Sequence, residues 1–96
     1  MIASFGDPAT EDLYHGRRSS RARRFPPEVV KAALRKLDML NGAHELLDLR
    51  SLPGNRLEAL SKDLAGHHSI RVNAQWRLVF RWEGGRAHQV TLMDYH

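Results

Sequence analysis

S-I-R-V-N-A-Q-W-R-L-V-F-R-W, from Ser69 to Trp82, is followed by Glu83-Gly84-Gly85 and then by R-A-H-Q-V-T-L-M-D-Y-H up to His96. Both arms alternate apolar and polar residues, the period of a strand with one buried face. The glycines between them suit a hairpin, read here as a three-residue loop with glycine in the left-handed position. Pairing Trp82 with Arg86 sets a register in which Trp76 faces Leu92, Leu78 faces Val90 and Phe80 faces His88. That side is the expected core face. The other carries Arg77 opposite Thr91 and Val79 opposite Gln89, with Tyr95 further out near Asn73, so Arg77 and Tyr95 share a solvent-facing side. A slip of one residue would reverse the two faces.

Two more strands are expected before this hairpin's first arm ends, at 55–60 and 69–73, with a polar loop at 61–67 between them. The preceding half of the chain is helical in period. Asp7-Pro8 offers a cap and a first-turn proline for a short helix stopping at Gly16. Pro26-Pro27 opens a longer one, with Val30, Ala33, Leu34, Leu37 and Leu40 on one face and Asn41-Gly42 as the stop. Leu46, Leu47 and Leu49 suggest another turn or two, ended by Pro53-Gly54. Met1 to Phe5 reads as a short edge strand, too short for a signal peptide. Helices first and strands afterwards imply an α+β fold, helices on one face of a mostly antiparallel sheet.

The 96 residues suffice for one domain, 1–96, with 42% hydrophobic residues to fill its core. No cysteine is present, so disulfides and thiolate metal sites are excluded, in keeping with a cytoplasmic location. No apolar run approaches the roughly 18 residues of a membrane span. Fifteen Lys+Arg against eleven Asp+Glu give a net charge of +4. That balance points toward a polyanionic partner. Arg17, Arg18, Arg21, Arg23 and Arg24 crowd one stretch without apolar period and read as an exposed, mobile linker, with Phe25 able to dock it on the core.

Metal-free RNA cleavage needs a base for the 2′-hydroxyl, a cation for the phosphorane and an acid for the leaving 5′-oxygen. Imidazole suits proton transfer and guanidinium suits the charge. His96 and Arg77 are the candidates, with Tyr95 to bind phosphate or stack on a base, Asp94 to orient His96 or Arg77, and Glu58 as a further base. Each has a plainer reading: a solvated arginine, a frayed end, a solubilising glutamate. His67, His68 and His88 invite a metal reading, but adjacent strand histidines point to opposite faces and no carboxylate stands at a familiar ligand offset. No metal or cofactor is expected.

Four segments carry a family resemblance: R-R-F-P-P-E at 23–28, P-G-N-R-L-E-A-L at 53–60, S-I-R-V-N-A-Q-W-R-L-V-F-R-W at 69–82, and the closing D-Y-H. Together they resemble the HigB-type (plasmid maintenance system killer) toxins of the RelE-like group. The resemblance implies two N-terminal helices on a twisted antiparallel sheet, and an mRNA endonuclease that acts on translating ribosomes. It implies a HigA-like helix-turn-helix antitoxin, contact with DNA only through that antitoxin, and no membrane. By motif, Arg77 matches the phosphate-stabilising arginine and Asp94, Tyr95 and His96 match the C-terminal cluster. Glu58 falls where some members carry histidine. Arg17, Arg18, Arg21, Arg23, Arg24, Arg56, Lys62 and Arg71 form the candidate RNA- or ribosome-binding set. Many relatives have L-K-G-D-R-x-G where this chain has Leu60-Ser61-Lys62-Asp63-Leu64-Ala65-Gly66. Ser61 and Leu64 thus replace two cations. The alternative is a weakly active or inactive module of the same fold that binds RNA or a partner.

Overall fold

The computed structural model describes residues 1–94. Tyr95 and His96 lie outside the described residues. Three helices, α1 (Pro8–Tyr14), α2 (Pro27–Gly42) and α3 (Leu46–Arg50), precede four strands, β1 (Glu58–Ala59), β2 (His67–Arg71), β3 (Trp76–Glu83) and β4 (Arg86–Asp94). The strands form one antiparallel sheet in the order β1-β2-β3-β4. This is the expected α+β architecture. β1 is shorter than the 55–60 reading, and β2 starts two residues earlier than Ser69. Asn55 lies outside β1 and is fully buried beneath α2, though its carbonyl still accepts from the Arg71 amide of β2 at 2.6 Å.

Local chemistry sets the helix ends as expected. The Asp7 carboxylate accepts from the Thr10 amide at 2.9 Å, with Pro8 in the first turn. Gly16 stops the chain beyond α1 at φ 71. In α3, Asp48 Oδ2 accepts from the His44 and Glu45 amides at 3.0 and 2.9 Å. Those two bonds hold its carboxyl below the ordinary range.

The buried face of α2 is Val29, Ala33, Lys36, Leu37 and Leu40. It is rotated from the expected face, and Val30 and Leu34 sit half-buried at its border. Periodicity alone locates such a face to within about one residue, because 3.6 residues per turn leaves border positions ambiguous. The sheet contributes Ile70, Leu78, Phe80, Ala87, Val90 and Leu92 to the core against this helix and Leu49. Trp76 and Trp82 pack at the margin and are only partly buried.

The hairpin register differs from the expected one. Glu83 pairs with Arg86, so Gly84-Gly85 alone make the turn, at φ 58 and 75. Two residues with positive φ suit the tight hairpin turn that matches strand twist. Trp82 pairs with Ala87 and Arg81 with His88, which moves His88 off the core face. The register then shifts between Arg81 and Val79, where Gln89 and Val90 together oppose Phe80. Gln89 takes a φ of 54, the mark of a bulge. Beyond it, Val79 pairs with Thr91, Leu78 with Leu92, Arg77 with Met93 and Trp76 with Asp94. The one-residue offset at the turn and the extra residue at the bulge add up to two. Val90 and Leu92 therefore still face the core.

The N-terminus covers the outer edge of β4 through two isolated bridges, in place of the expected short strand. Ile2 and Phe5 bridge to Ala87 and Val90 in parallel. Thr10 Oγ1 then accepts from the Leu92 amide at 2.9 Å. Edge groups that could recruit another strand are thus occupied. Gly6 fits this approach: a Cβ there would lie 2.8 Å from the Gln89 carbonyl oxygen.

The arginine stretch is an ordered part of the fold, which corrects its reading as a mobile linker. Arg17 and Arg21 reach back to the buried Asp12 carboxylate of α1 at 3.3 and 3.0 Å. Ala22 is buried in a single 3-10 turn, and Phe25 lies edge-on to Trp76 with ring centroids 5.8 Å apart. Composition hid this because Asp12 and the arginines become neighbours only once the chain reverses at Gly16. Hydrogen bonds from Ser19 and Arg21, then Arg17, hold the Asp12 carboxyl below its ordinary value. A depressed carboxyl adds stability above its unfolded value and loses it as pH falls through the folded one. Amide protection over 19–25 is therefore expected to persist at neutral pH and to collapse below pH 3.8, the ordinary value, as Asp12 protonates. Asp12→Asn should show the collapsed pattern already at pH 7. Protection unchanged in that variant would mean Ala22 and Phe25 alone hold the segment.

Candidate functional site

The face of the sheet away from the helices is built by alternation. β2 gives it His67, Ser69 and Arg71. β3 gives Arg77, Val79 and Arg81, and β4 gives His88, Thr91 and Met93. Arg71 pairs with Arg77, and Ser69 lies between Glu58 on β1 and Val79 on β3.

Arg77 is buried rather than solvent-facing, with 8% of its surface exposed. Alternation gave its face correctly, but the face is not flat. Its Nε donates to Ser69 Oγ at 2.7 Å. Its Nη2 donates to the Arg56 carbonyl at 2.7 Å. Its Nη1 lies 3.9 Å from Glu58 Oε1, a carboxylate whose side chain is 54% exposed. The guanidinium is thus fixed at two of its nitrogens by neutral acceptors and turned toward a solvated acid. A rigid fork held this way offers a cation that needs little reorganisation to meet a phosphate.

Beside it, Phe5, Leu64, His67, Val79, Thr91 and Met93 line an open cleft of about 300 Å³. His67 pairs with Arg81 on this face, whereas His68 stacks on Phe80 on the other, with centroids 6.4 Å apart. Adjacent histidines therefore part, as strand alternation predicts. Among the described residues, no three His, Cys, Asp or Glu side chains gather as a metal site.

The other candidates are dispersed. Asp94 extends β4 opposite Trp76, and its Oδ2 accepts from Gln75 Nε2 at 3.0 Å. By alternation from Leu92, it starts from the helix side of the sheet and not from the Arg77 side. Arg56 is exposed, with φ 45, and contributes its carbonyl to Arg77. Lys62, with φ 57, is exposed on the loop ahead of β2. Arg71 is half-buried, and its Nε donates to the Asn73 carbonyl at 3.1 Å. Arg18, Arg23 and Arg24 are exposed, while Arg17 and Arg21 are committed to Asp12. Tyr95 and His96 are expectations outside the described residues.

Sequence reading missed three contributors. Ser69 holds Nε of Arg77, and its place two residues before Arg71 on an alternating strand was the available signal. Arg81, ion-paired to Glu83, continues the Arg77 face by the same alternation. Asn55, fully buried, carries no local signal for its hydrogen bond to Lys36, nineteen positions earlier.

Residues 3–96 match the family described as RelE-like toxin of type II toxin-antitoxin system HigB. The chain is 42% identical over 96 residues to Toxin HigB-1 of Vibrio cholerae serotype O1, covering all of this chain and 98% of that protein. It is 38% identical over 69 residues to a protein of Haemophilus influenzae, covering 72% of this chain and 68% of the other. Among solved structures, the YoeB–YefM complex from Staphylococcus aureus contains a chain matching at a TM-score of 0.58 and 23% identity, covering 100% of this chain and 98% of that one. The YoeB dimer from the same organism matches at the same score, covering 99% and 97%. These two share the fold.

Proposed function

Because the chain belongs to the HigB-like toxins of the RelE-like group and is the toxin of a type II toxin-antitoxin system, we propose that it is a metal-independent endoribonuclease that cuts mRNA on translating ribosomes in the cytoplasm. Its partner is an antitoxin, and we take that antitoxin to be a HigA-like helix-turn-helix protein. Any contact with DNA runs through it. Among the described residues no helix is long and apolar enough to cross a membrane.

The observation that carries the activity is the Arg77 guanidinium, pinned by Ser69 and Arg56 and turned toward Glu58. In this reading Glu58 takes the proton of a 2′-hydroxyl. The 2′-oxygen then attacks phosphorus, and Arg77 stabilises the charge that builds on the non-bridging oxygens. The bond to the 5′-oxygen breaks, and His96 protonates that leaving oxygen. The products are a 2′,3′-cyclic phosphate and a free 5′-hydroxyl. Asp94 and Tyr95 would orient His96 and the phosphate. The apolar walls of the neighbouring cleft suit a flanking base. Arg18, Arg23, Arg24, Arg56, Lys62 and Arg71 would hold phosphates of mRNA or rRNA. Arg17 and Arg21 would contribute less, being tied to Asp12.

Induction in bacteria should arrest growth, and primer extension should find breaks in translated messages but not in untranslated ones. Breaks in both would remove the ribosome from the reading. A folded, growth-neutral protein would leave it a binding module. Deleting His96 should lower cleavage by about 10²-fold or more, the usual worth of a positioned acid or base. The pH–rate profile should also lose its limb between roughly pH 6 and 7.5, where imidazole titrates. Undiminished cleavage by that variant would mean that His96 is not the acid.

A further inference from the structure

Lys36 is unexpected where it stands. It lies on the apolar face of α2 and is only 6% exposed. A buried ammonium is costly unless something receives it. Burial pushes its pKa below the ordinary lysine value, and the charge of Arg35 adds to the effect. The folded protein therefore binds this proton less readily than the unfolded chain. Below its folded pKa the group is a net cost, relieved as pH rises toward the ordinary 10.5. Stability alone does not account for a lysine here.

Its hydrogen-bond partner leads to the site. Lys36 Nζ donates to Asn55 Oδ1 at 2.5 Å. Asn55 is fully buried. Its Nδ2 donates to the Leu49 carbonyl at 3.1 Å, and its own carbonyl accepts from the Arg71 amide at 2.6 Å. Asn55 is thus tied at once to α2, α3 and β2. The next residue, Arg56, is held at φ 45, a left-handed conformation that a side-chain-bearing residue adopts only when its surroundings impose it. The carbonyl of that residue receives Arg77 Nη2. Glu58 follows two residues later.

We propose that Lys36 and Asn55 are positioning residues: a buried hydrogen-bonded brace from α2 that fixes the turn at Arg56 and, through its carbonyl, the orientation of the Arg77 guanidinium toward the scissile phosphate. The brace touches neither RNA nor the reacting atoms. It rests on the reading of Arg77 as the phosphate-stabilising residue. A small rotation of that fork would lengthen its bonds to the transition state, and misplacement by an ångström can cost a large factor in rate.

The test is a double-mutant cycle on purified toxin, with mRNA-programmed ribosomes as substrate and toxin in excess. Lys36→Met keeps the stem and removes the donor, and thermal unfolding checks that it folds. Its maximal single-turnover rate should fall by about 10-fold, within the range misplacement allows, while the toxin concentration giving half-maximal rate changes little. In an Arg77→Lys background the same substitution should cost almost nothing further, since coupled residues are not additive. An equal loss in both backgrounds, or a loss confined to half-saturation, would overturn the brace. If Lys36→Met fails to fold, Asn55→Asp is read in the same two backgrounds. It keeps an acceptor for Lys36 but sets a charged oxygen where Nδ2 donated to the Leu49 carbonyl, so the same coupled loss is expected and an equal loss in both backgrounds overturns the brace. Wild-type cleavage by Arg77→Lys and Arg77→Ala would instead overturn the functional reading on which the brace rests.

Discussion

Arg77→Ala is expected to lower RNA cleavage by about 10²–10³-fold, the cost of removing one preorganised donor from a developing charge. It will also lower stability, because Arg77 is buried and its loss strands the Ser69 hydroxyl and the Arg56 carbonyl. Unmet buried acceptors cost about 1–3 kcal/mol each at most. The two effects separate in Arg77→Lys. Lysine keeps the charge but presents a point donor, and it cannot span Ser69 and Arg56 while facing Glu58. Arg77→Lys should stay folded and recover little of the lost rate. Single-turnover cleavage measured alongside thermal unfolding distinguishes the contributions. Near-wild-type cleavage by the lysine variant would mean that charge alone, without the fixed fork, serves the reaction.

Phe80→Ala is expected to destabilise the fold by about 3–5 kcal/mol, the range for deleting a buried phenyl ring. Phe80 is fully buried, stacked on His68 and edge-on to Trp82. It also stands opposite the bulge at Gln89 and Val90, where two residues of β4 meet one of β3. A cavity there would remove both core volume and the anchor for the register shift. Small domains have about 5–15 kcal/mol in all, so the variant should be partly unfolded at 37 °C. Urea titration reads this as a lower midpoint with an unchanged slope. A loss under about 1 kcal/mol would show that the neighbouring rings close over the gap, since the cost depends on how far the site can collapse.

The chain's own pattern determined the architecture and most of the elements. Alternation in 76–82 and 90–94 set which side of each strand faces the helices, while at 86–88 it gave the wrong side, since Ala87 and not His88 faces the core. Asp7, Pro8 and Gly16 set α1, and Pro27 set the start of α2. These are local properties, decided by the period of the backbone and by the side chains of a few neighbouring residues. The family followed from the segments 23–28, 53–60 and 69–82 and the closing D-Y-H, read as sequence.

Tertiary structure alone decided the rest. The bulge at Gln89 is invisible locally: glutamine does not announce a left-handed conformation, and only the fit of β4 against β3 and of Gly6 against its carbonyl requires one. Nothing in the sequence singled out Asp12, and Arg17 and Arg21 read as exposed charge; the turn at Gly16 brings them together. Arg77 looked exposed because alternation tells which side a residue faces, not what lies above it. Arg56 and Ser69, distant in sequence, enclose it. Lys36 and Asn55 stand nineteen positions apart. Their hydrogen bond exists only because α2 packs over the loop before β1, and no sequence period carries that information.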